Sequence, residues 1–199
     1  MAKVLNWYSF QKKLNEKKIA IFTPLDIRRV FDVSKIAATF FLHRYTKKGR
    51  IFRLKRGLYM LAESYVPDLY LANKLYEPSY ISLEMALSYY GVIPETVYEI
   101  TSVTTKTTRR FEVKDKIFSY RSLKREAFVG YLSHQQREYT FLMAEPEKAF
   151  VDLCYLKMVS HEKPLDRFSK KKIKIAKALR YARLFNNKKL IKIIKTLLQ

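Results

Sequence analysis

The stretch DVSKIAATFFLHRYTKKGRIFRLKRGLYML, residues 32–61, joins a helix pattern to a basic hairpin pattern. Ser34 is a favourable N-cap residue, and Gly49 can adopt the left-handed conformation that ends many helices. These two residues predict a helix that starts at Ser34 and ends just before Gly49. Two short apolar runs follow, residues 51–54 and 58–61, around a three-residue turn that contains a glycine. The stretch therefore predicts a capped helix followed by a β-hairpin.

Two further helices are predicted before this stretch. Apolar side chains at helical spacing predict a helix over residues 4–17. The segment TPLD, residues 23–26, combines a capping residue, a proline suited to the first helical position and an acid near the positive helix end, which predicts a helix over residues 24–31. Residues 19–22 are expected to form a short buried connector. Three helices followed by a hairpin are the order of a winged helix-turn-helix.

After this unit the composition changes at Pro67 and Asp68, and the rest of the chain mixes helix and strand signals. Helical spacing predicts helices over residues 82–90 and 145–159, and runs of β-branched and aromatic residues predict strands between them. The predicted strands are residues 97–106, 109–113, 116–122, 127–132 and 139–144, and two basic helices, 169–184 and 187–198, are predicted to end the chain. The predicted fold class is α+β, with a winged helix-turn-helix in residues 1–64 and a small mixed α/β domain with a basic helical C-terminus in residues 65–199.

Positive charge is concentrated at the two ends of the chain. The protein carries 40 Lys and Arg against 18 Asp and Glu, a formal net charge of +22. Residues 1–62 contain 15 basic and 3 acidic side chains, and residues 167–199 contain 12 basic and none that is acidic, whereas the region between them is nearly neutral. Such segregation indicates a polyanionic partner, because solubility alone requires neither this magnitude nor this clustering.

The helix that starts at Ser34 has two chemically different faces. Its apolar face, formed by Ala38, Phe41, Leu42 and Tyr45, is expected to pack on the other helices, and the opposite face carries polar and basic groups suited to the major groove of DNA. On the hairpin, alternation is expected to place Arg53 and Lys55 on one side, with Arg56 at the turn. Three residues are therefore predicted to lie near bases: Lys35, Thr39 and His43. Five are predicted to lie near phosphates: Ser34, Lys47, Arg53, Lys55 and Arg56.

Four segments resemble one known family. They are KKGRIFRLKRGLYML in the hairpin region, PSYISLEMALSYYGVIPETVYEITSVTTKTTRRFEV and IFSYRSLKREAFVGY in the middle, and AEPEKAFVDLCYL before the basic tail. The chain resembles the AbiEi-type transcriptional regulators, which are antitoxins of type IV abortive-infection systems, from about Phe22 to Leu156. The resemblance implies a repressor that binds double-stranded DNA at inverted repeats in its own promoter. It also implies a nucleotidyltransferase-like toxin as a partner.

Enzymatic and metal-binding signatures are weak in this sequence, and we predict no catalytic residue, metal or cofactor. The three histidines have no metal-ligand spacing, and no glycine-rich phosphate loop is present. Glu84, Glu99 and Lys106 resemble a metal-dependent nuclease site only faintly, since strand alternation puts Glu99 and Lys106 on opposite faces. Cys154 lies among apolar residues and is predicted to be a small buried hydrophobe.

The compartment is predicted from what the sequence lacks. A single cysteine cannot form an internal disulfide, so a reducing cytoplasm is expected. No run approaches the roughly 20 apolar residues that cross a bilayer, and the N-terminus does not resemble a signal peptide. We therefore expect no membrane partner.

Alternatives remain for the function and for the basic tail, residues 167–199. The protein can instead be an interaction module that neutralises a toxin, with DNA contact secondary. The tail can add phosphate contacts, dock to an acidic partner or adsorb to a membrane surface, and the scarcity of aromatic residues makes the membrane the weakest of these.

Overall fold

A computed structural model describes residues 5–199, so Val4 in the predicted first helix lies outside the described residues. The chain divides into two compact units, one that ends at Val66 and one that begins at Pro67. Helices and a small sheet form the first unit, and a larger mixed sheet with helices forms the second. The predicted α+β fold class is thereby confirmed. Among residues 5–199, no helix has both the length and the apolar character needed to cross a membrane.

The N-terminal unit has the helix and strand order of a winged helix. Its elements are α1 (Trp7–Glu16), β1 (Ile21–Phe22), α2 (Pro24–Phe31), α3 (Lys35–Lys47), β2 (Ile51–Lys55) and β3 (Leu58–Leu61). The predictions for α2, α3 and the hairpin are confirmed, and α1 is shorter than expected. The expected connector at residues 19–22 is wrong in part, because β1 pairs antiparallel with β3 through Ile21–Met60 and Phe22–Tyr59.

Local hydrogen bonds explain where α2 begins. The Thr23 hydroxyl accepts a hydrogen bond from the Asp26 backbone N–H at 3.2 Å, and the Asp26 carboxylate accepts one from the Thr23 backbone N–H at 2.8 Å. This reciprocal capping box satisfies two backbone donors that the helix itself leaves unpaired. The helix ends at Asp32, which has a left-handed backbone with φ of 53°. Both ends of α2 are therefore set by short-range chemistry.

The wing is a three-stranded antiparallel sheet in the order β1-β3-β2. The β2 strand extends to Lys55, which pairs with Leu58, so the turn consists of Arg56 and Gly57 rather than the three residues predicted. Gly57 has φ of 79°, a conformation that costs glycine little. The hairpin register shifts between Arg53 and Lys55, and simple alternation of side chains is interrupted there.

Aromatic packing forms the core of the N-terminal unit. Phe10 is fully buried, and its ring centroid lies 4.7 Å from that of Phe41, 5.3 Å from Phe31 and 5.5 Å from Phe22. The predicted apolar face of α3 joins this core, with Ala38, Phe41 and Leu42 buried. This packing fixes which face of α3 is turned outward.

The C-terminal unit contains a six-stranded mixed sheet in the order β6-β7-β5-β4-β9-β8. Its elements are α4 (Asp68–Leu75), β4 (Ser79–Ile81), α5 (Leu83–Tyr89), β5 (Ile100–Thr104), β6 (Arg109–Val113), β7 (Lys116–Ser122), β8 (Tyr131–Gln136), β9 (Tyr139–Ala144), α6 (Pro146–Val159), α7 (Ile175–Arg183) and α8 (Lys188–Leu198). The predictions for β6, β7, β9 and α6 are confirmed. Neither α4 nor β4 was predicted.

The predicted strand at residues 127–132 is wrong over residues 127–130 and right only for residues 131 and 132, where β8 begins. Residues 125–127 form a short 3-10 turn, and the strand begins only at Tyr131, after Gly130. Gly130 has φ of 76°, and a Cβ atom there would lie 2.6 Å from the Tyr181 ring. Glycine suits this position for two reasons. Its left-handed backbone is favourable for glycine, and the absence of a Cβ atom lets the Tyr181 ring of α7 pack against the backbone at Gly130.

A buried polar network joins α6 to the sheet. Lys148 and Asp152 form an ion pair with both side chains fully buried, and the second Asp152 oxygen accepts hydrogen bonds from Tyr80 at 3.0 Å and from Ser82 at 2.9 Å. Burial raises the pKa of Asp152, against the opposing effect of the Lys148 ammonium. Each polar atom of the carboxylate thus has a partner, as a charge removed from water requires.

The basic tail forms helices that pack on α6, and the first is shorter than predicted. Tyr181, Phe185, Leu190 and Ile194 are buried, and the Phe185 ring centroid lies 4.3 Å from that of Tyr155. Tyr181 and Lys177 both donate hydrogen bonds to Glu145, the second at 2.6 Å. Burial alone would raise the pKa of Glu145, but these bonds and the Lys177 charge hold it below its usual value. The packing accounts for the apolar stripes of the tail and leaves its lysines other than Lys177 exposed.

Candidate nucleic-acid interface

The start of α3 is anchored by Ser34. Its backbone is extended, and its hydroxyl accepts a hydrogen bond from the Ala37 backbone N–H at 3.1 Å. This N-cap satisfies one of the free donors of the first turn. Ser34 itself is exposed at the tip of the helix, beside the positive end of the helix dipole.

One stripe of α3 carries the predicted polar side chains outward. Lys35, Thr39, His43 and Lys47 follow each other at intervals of four residues, and all four are exposed. Because an α-helix has 3.6 residues per turn, this spacing keeps them on one face. The Thr39 hydroxyl donates a hydrogen bond to the Lys35 carbonyl at 2.8 Å, so its oxygen remains an acceptor towards the outside.

The stripe meets the wing in a groove of about 410 Å³. We name it the α3–wing groove and define it by its lining residues: Pro24, Thr39, Leu42, His43, Thr46, Lys47, Arg53 and Tyr59. The groove brings together four of the eight residues predicted from the sequence, which are Thr39, His43, Lys47 and Arg53. Helix and wing therefore present donors and positive charge to the same space.

The other four predicted residues lie outside the groove. Ser34 lies at the start of α3, Lys35 lies on the polar stripe one turn before Thr39, and Arg56 is exposed at the wing turn. Lys55 is half-buried and does not line the groove, and the hairpin register shifts between Arg53 and Lys55.

The charged side chains that line the α3–wing groove are basic. No acidic residue occurs in residues 33–62, and Asp26 is engaged in the α2 capping box. Among residues 5–199, none of Lys35, Lys47 and Arg53 takes part in a salt bridge. Their charges are consequently available to an anionic ligand.

Comparison with known proteins relates this unit to one family. Residues 10–62, which are 53 of the 199 residues, match the family model described as "Transcriptional regulator, AbiEi antitoxin". The N-terminal unit matches the AbiEi family. The described family is one of regulators and antitoxins, and the match covers α1 from Phe10 onward, α2, α3 and the strands of the wing.

No curated protein matches the chain. Among solved structures, the crystal structure of RV2827C protein from Mycobacterium tuberculosis aligns with 98% of this chain and 82% of that chain, at a TM-score of 0.47 and 12% sequence identity.

Two exposed apolar residues of the N-terminal unit were not among the residues predicted to be functional. Ile36 and Phe40 are each 68% exposed on α3. They lie next to the polar stripe and outside the buried face. Their four-residue spacing, and their position outside the predicted apolar face of α3, were the sequence signals that could have identified them.

The residues of the nuclease alternative are not assembled. Glu84 and Glu99 line one hollow of about 470 Å³ with Arg109, Arg110 and Arg121, but Lys106 is not part of its lining. The Lys106 ammonium instead donates a hydrogen bond to the Glu77 carbonyl at 2.5 Å. Within the described chain, residues 5–199, no group of three or more His, Cys, Asp or Glu side chains is arranged to hold a metal ion.

Cys154 is confirmed as a buried hydrophobe. Its side chain lies in α6 with 4% of its surface exposed, and burial raises the pKa of the thiol to about 12. A thiol with so high a pKa is not a nucleophile at neutral pH.

Proposed function

We propose that the protein is a sequence-specific DNA-binding repressor that acts on inverted repeats in its own promoter. The observation that carries this proposal is the α3–wing groove, where the polar face of α3 and the wing arginine Arg53 open onto one positively charged space. The AbiEi family match supports the same class of function. Basic surface by itself is a weaker argument, because many solvated helices carry lysine.

In the proposed complex, α3 enters the major groove and its exposed stripe faces the base edges. Thr39 accepts a hydrogen bond from an exocyclic amine, such as that of adenine or cytosine, because its own proton is bound to the Lys35 carbonyl. His43 and Lys35 provide further donors one turn away on either side. These three residues are the ones proposed to read sequence.

The remaining residues are proposed to hold the phosphate backbone. Arg53 and Lys47 flank the groove, Lys55 and Arg56 belong to the wing, and Ser34 presents the start of α3. Contacts to phosphates position a protein on the duplex but carry no direct base information. Each such contact releases condensed counterions, so binding through this set weakens as salt rises.

Two substitutions separate base reading from backbone contact. We expect Thr39→Ala to lower the ratio of operator affinity to random-DNA affinity, because it removes an acceptor at a base edge. We expect Arg53→Ala to weaken binding to both DNAs alike and to flatten the slope of log affinity against log salt by about one unit. Fluorescence anisotropy titrations of both duplexes at several salt concentrations measure these quantities.

A matched control is Arg125→Ala, which removes an exposed arginine from the C-terminal unit. Its affinity, discrimination and salt slope should equal those of the unmodified chain. If Thr39→Ala and Arg53→Ala changed discrimination and salt slope by the same amounts, the assignment of Thr39 to base reading would be wrong.

The second candidate function is neutralisation of a toxin of the nucleotidyltransferase-like kind. Two observations favour it: the family description names antitoxins, and α8 carries four exposed lysines in a tail without acids, namely Lys188, Lys189, Lys192 and Lys195. An acidic surface on the toxin would complement this face. The buried residues of α8 point to the other side, so the lysines can be changed without opening the core.

Replacing the four lysines of α8 by glutamine tests this function. We expect loss of protection in cells that co-express the toxin encoded beside this gene, with operator binding retained. The matched control replaces two exposed lysines of the 3-10 turn that precedes α7, Lys170 and Lys171, by glutamine, which should leave protection intact. Retained protection together with weakened operator binding would instead assign the α8 face to DNA phosphates.

A further inference from the structure

The apolar pair on α3 is the surface feature that the proposed function leaves unused. Ile36 and Phe40 are four residues apart, so they lie one above the other on the same side of the helix. Together with Lys35, Thr39 and His43 they line an open hollow of about 580 Å³. Two large apolar side chains, each 68% exposed, form a contiguous patch rather than isolated surface residues.

The position of this hollow relates it to the α3–wing groove. Thr39 and His43 line both, with Arg53 and Lys47 on one side and Ile36 and Phe40 on the other. Any approach that brings the polar stripe against a ligand therefore brings the apolar pair against the same ligand. A ligand for this face must therefore offer both negative charge and an apolar surface within the width of one helix.

The major groove of B-DNA has this combination of properties. Its edges are lined by phosphates, and the C5 methyl of thymine is the apolar group that it exposes among polar donors and acceptors. An apolar protein surface would match Ile36 and Phe40 but not the lysines and arginine around them. Charge complementarity therefore favours DNA over a second apolar surface.

We propose that Ile36 and Phe40 contact the methyl groups of two thymines and so specify A·T pairs in the DNA site. The proposal rests on the proposed function and adds residues to those that read sequence. Four residues of helix rise span about 6 Å, which is close to two base steps. The two thymine positions are thus expected to lie within about two steps of each other.

Removing the methyl group from the DNA is the direct test. The full chain selects duplexes from a randomised library, and each thymine of the selected site is then replaced by deoxyuridine, which differs only in that methyl. For the unmodified protein, affinity at the critical positions should fall about fourfold per methyl, as expected for one buried methyl group. Phe40→Ala and Ile36→Ala should each lose affinity for the thymine duplex and become insensitive to the replacement at one position.

The matched control is Tyr8→Ala, which removes another large exposed side chain of the same unit, 75% exposed on α1. It should keep the full sensitivity to deoxyuridine. Alanine favours helix more than isoleucine or phenylalanine, so α3 should persist in both test variants. Fluorescence of Trp7, the only tryptophan, reports whether the unit is folded.

Three results would overturn the proposal. If deoxyuridine weakened the unmodified protein and Phe40→Ala equally at every position, the apolar pair would not read methyl groups, although specific binding would stand. If no duplex were enriched over random DNA, the proposed function would fail first. If Phe40→Ala dissociated a dimer in sedimentation without changing the deoxyuridine effect, the face would be occupied by a second copy of the chain.

Discussion

Phe10→Ala is expected to destabilise the N-terminal unit by about 3–5 kcal/mol. Phe10 is fully buried, and its ring contacts four other aromatic rings, those of Trp7, Phe22, Phe31 and Phe41. Removing its ring leaves a cavity between all three helices and the wing. Such a loss approaches the total stability of a small domain.

The measurement uses Trp7, whose ring centroid lies 5.8 Å from that of Phe10. As the only tryptophan, it reports the unfolding of this unit separately from the rest of the chain. The denaturant midpoint of Trp7 fluorescence should fall sharply or disappear, and operator binding should fall with it, although no basic residue has been changed.

Tyr8→Ala is the control for Phe10→Ala, because it removes a ring of similar size two residues earlier in α1. Tyr8 is 75% exposed, so its loss should change stability by about 0.5 kcal/mol or less. Equal midpoints for the two variants would contradict the assignment of Phe10 to the centre of the core.

Asp152→Ala is expected to destabilise the C-terminal unit by about 3–5 kcal/mol. The substitution removes the counter-charge of Lys148, whose side chain is fully buried, and it removes the acceptor for the hydroxyls of Tyr80 and Ser82. An unpaired ammonium in this position must either lose its proton or draw water into the core. Thermal unfolding followed by circular dichroism measures the loss.

Two comparisons show whether the buried charge is the cause. Glu77→Ala breaks the exposed ion pair with Lys74, which has an N–O distance of 2.7 Å, and should cost less than about 1 kcal/mol. Replacing the whole pair, with Lys148→Met and Asp152→Leu together, should be milder than Asp152→Ala alone because no charge remains buried. A double variant as unstable as Asp152→Ala would show that packing or the hydroxyl network dominates.

The elements that were predicted correctly are those whose signals are local. The TPLD segment begins α2, Ser34 and Gly49 bracket α3, and Gly57 permits the tight turn of the wing. In each case the deciding hydrogen bond or backbone angle lies within a few residues of the signal. The order of α2, α3 and the wing hairpin followed from these local signals.

The elements that were missed depend on partners far along the chain. The β1 strand has two residues and exists because it pairs with β3, almost forty residues later. The β4 strand joins the sheet between β5 and β9, and its three residues carry no strand pattern of their own. In β8, the polar residues Ser133 to Gln136 are held by antiparallel pairing with β9. Pairing of this kind overrides local propensity.

Taken alone, the chain determined that α3 has a polar stripe at intervals of four residues, since helical periodicity requires it, and that acids are absent around it. Only tertiary packing decided that Arg53 shares a groove with Thr39 and His43, that Lys55 does not, and that Ile36 and Phe40 stay in solvent. The reason is physical: the aromatic core sets the rotation of α3, and its rings come from α1, α2, α3 and β1, which are far apart in the sequence.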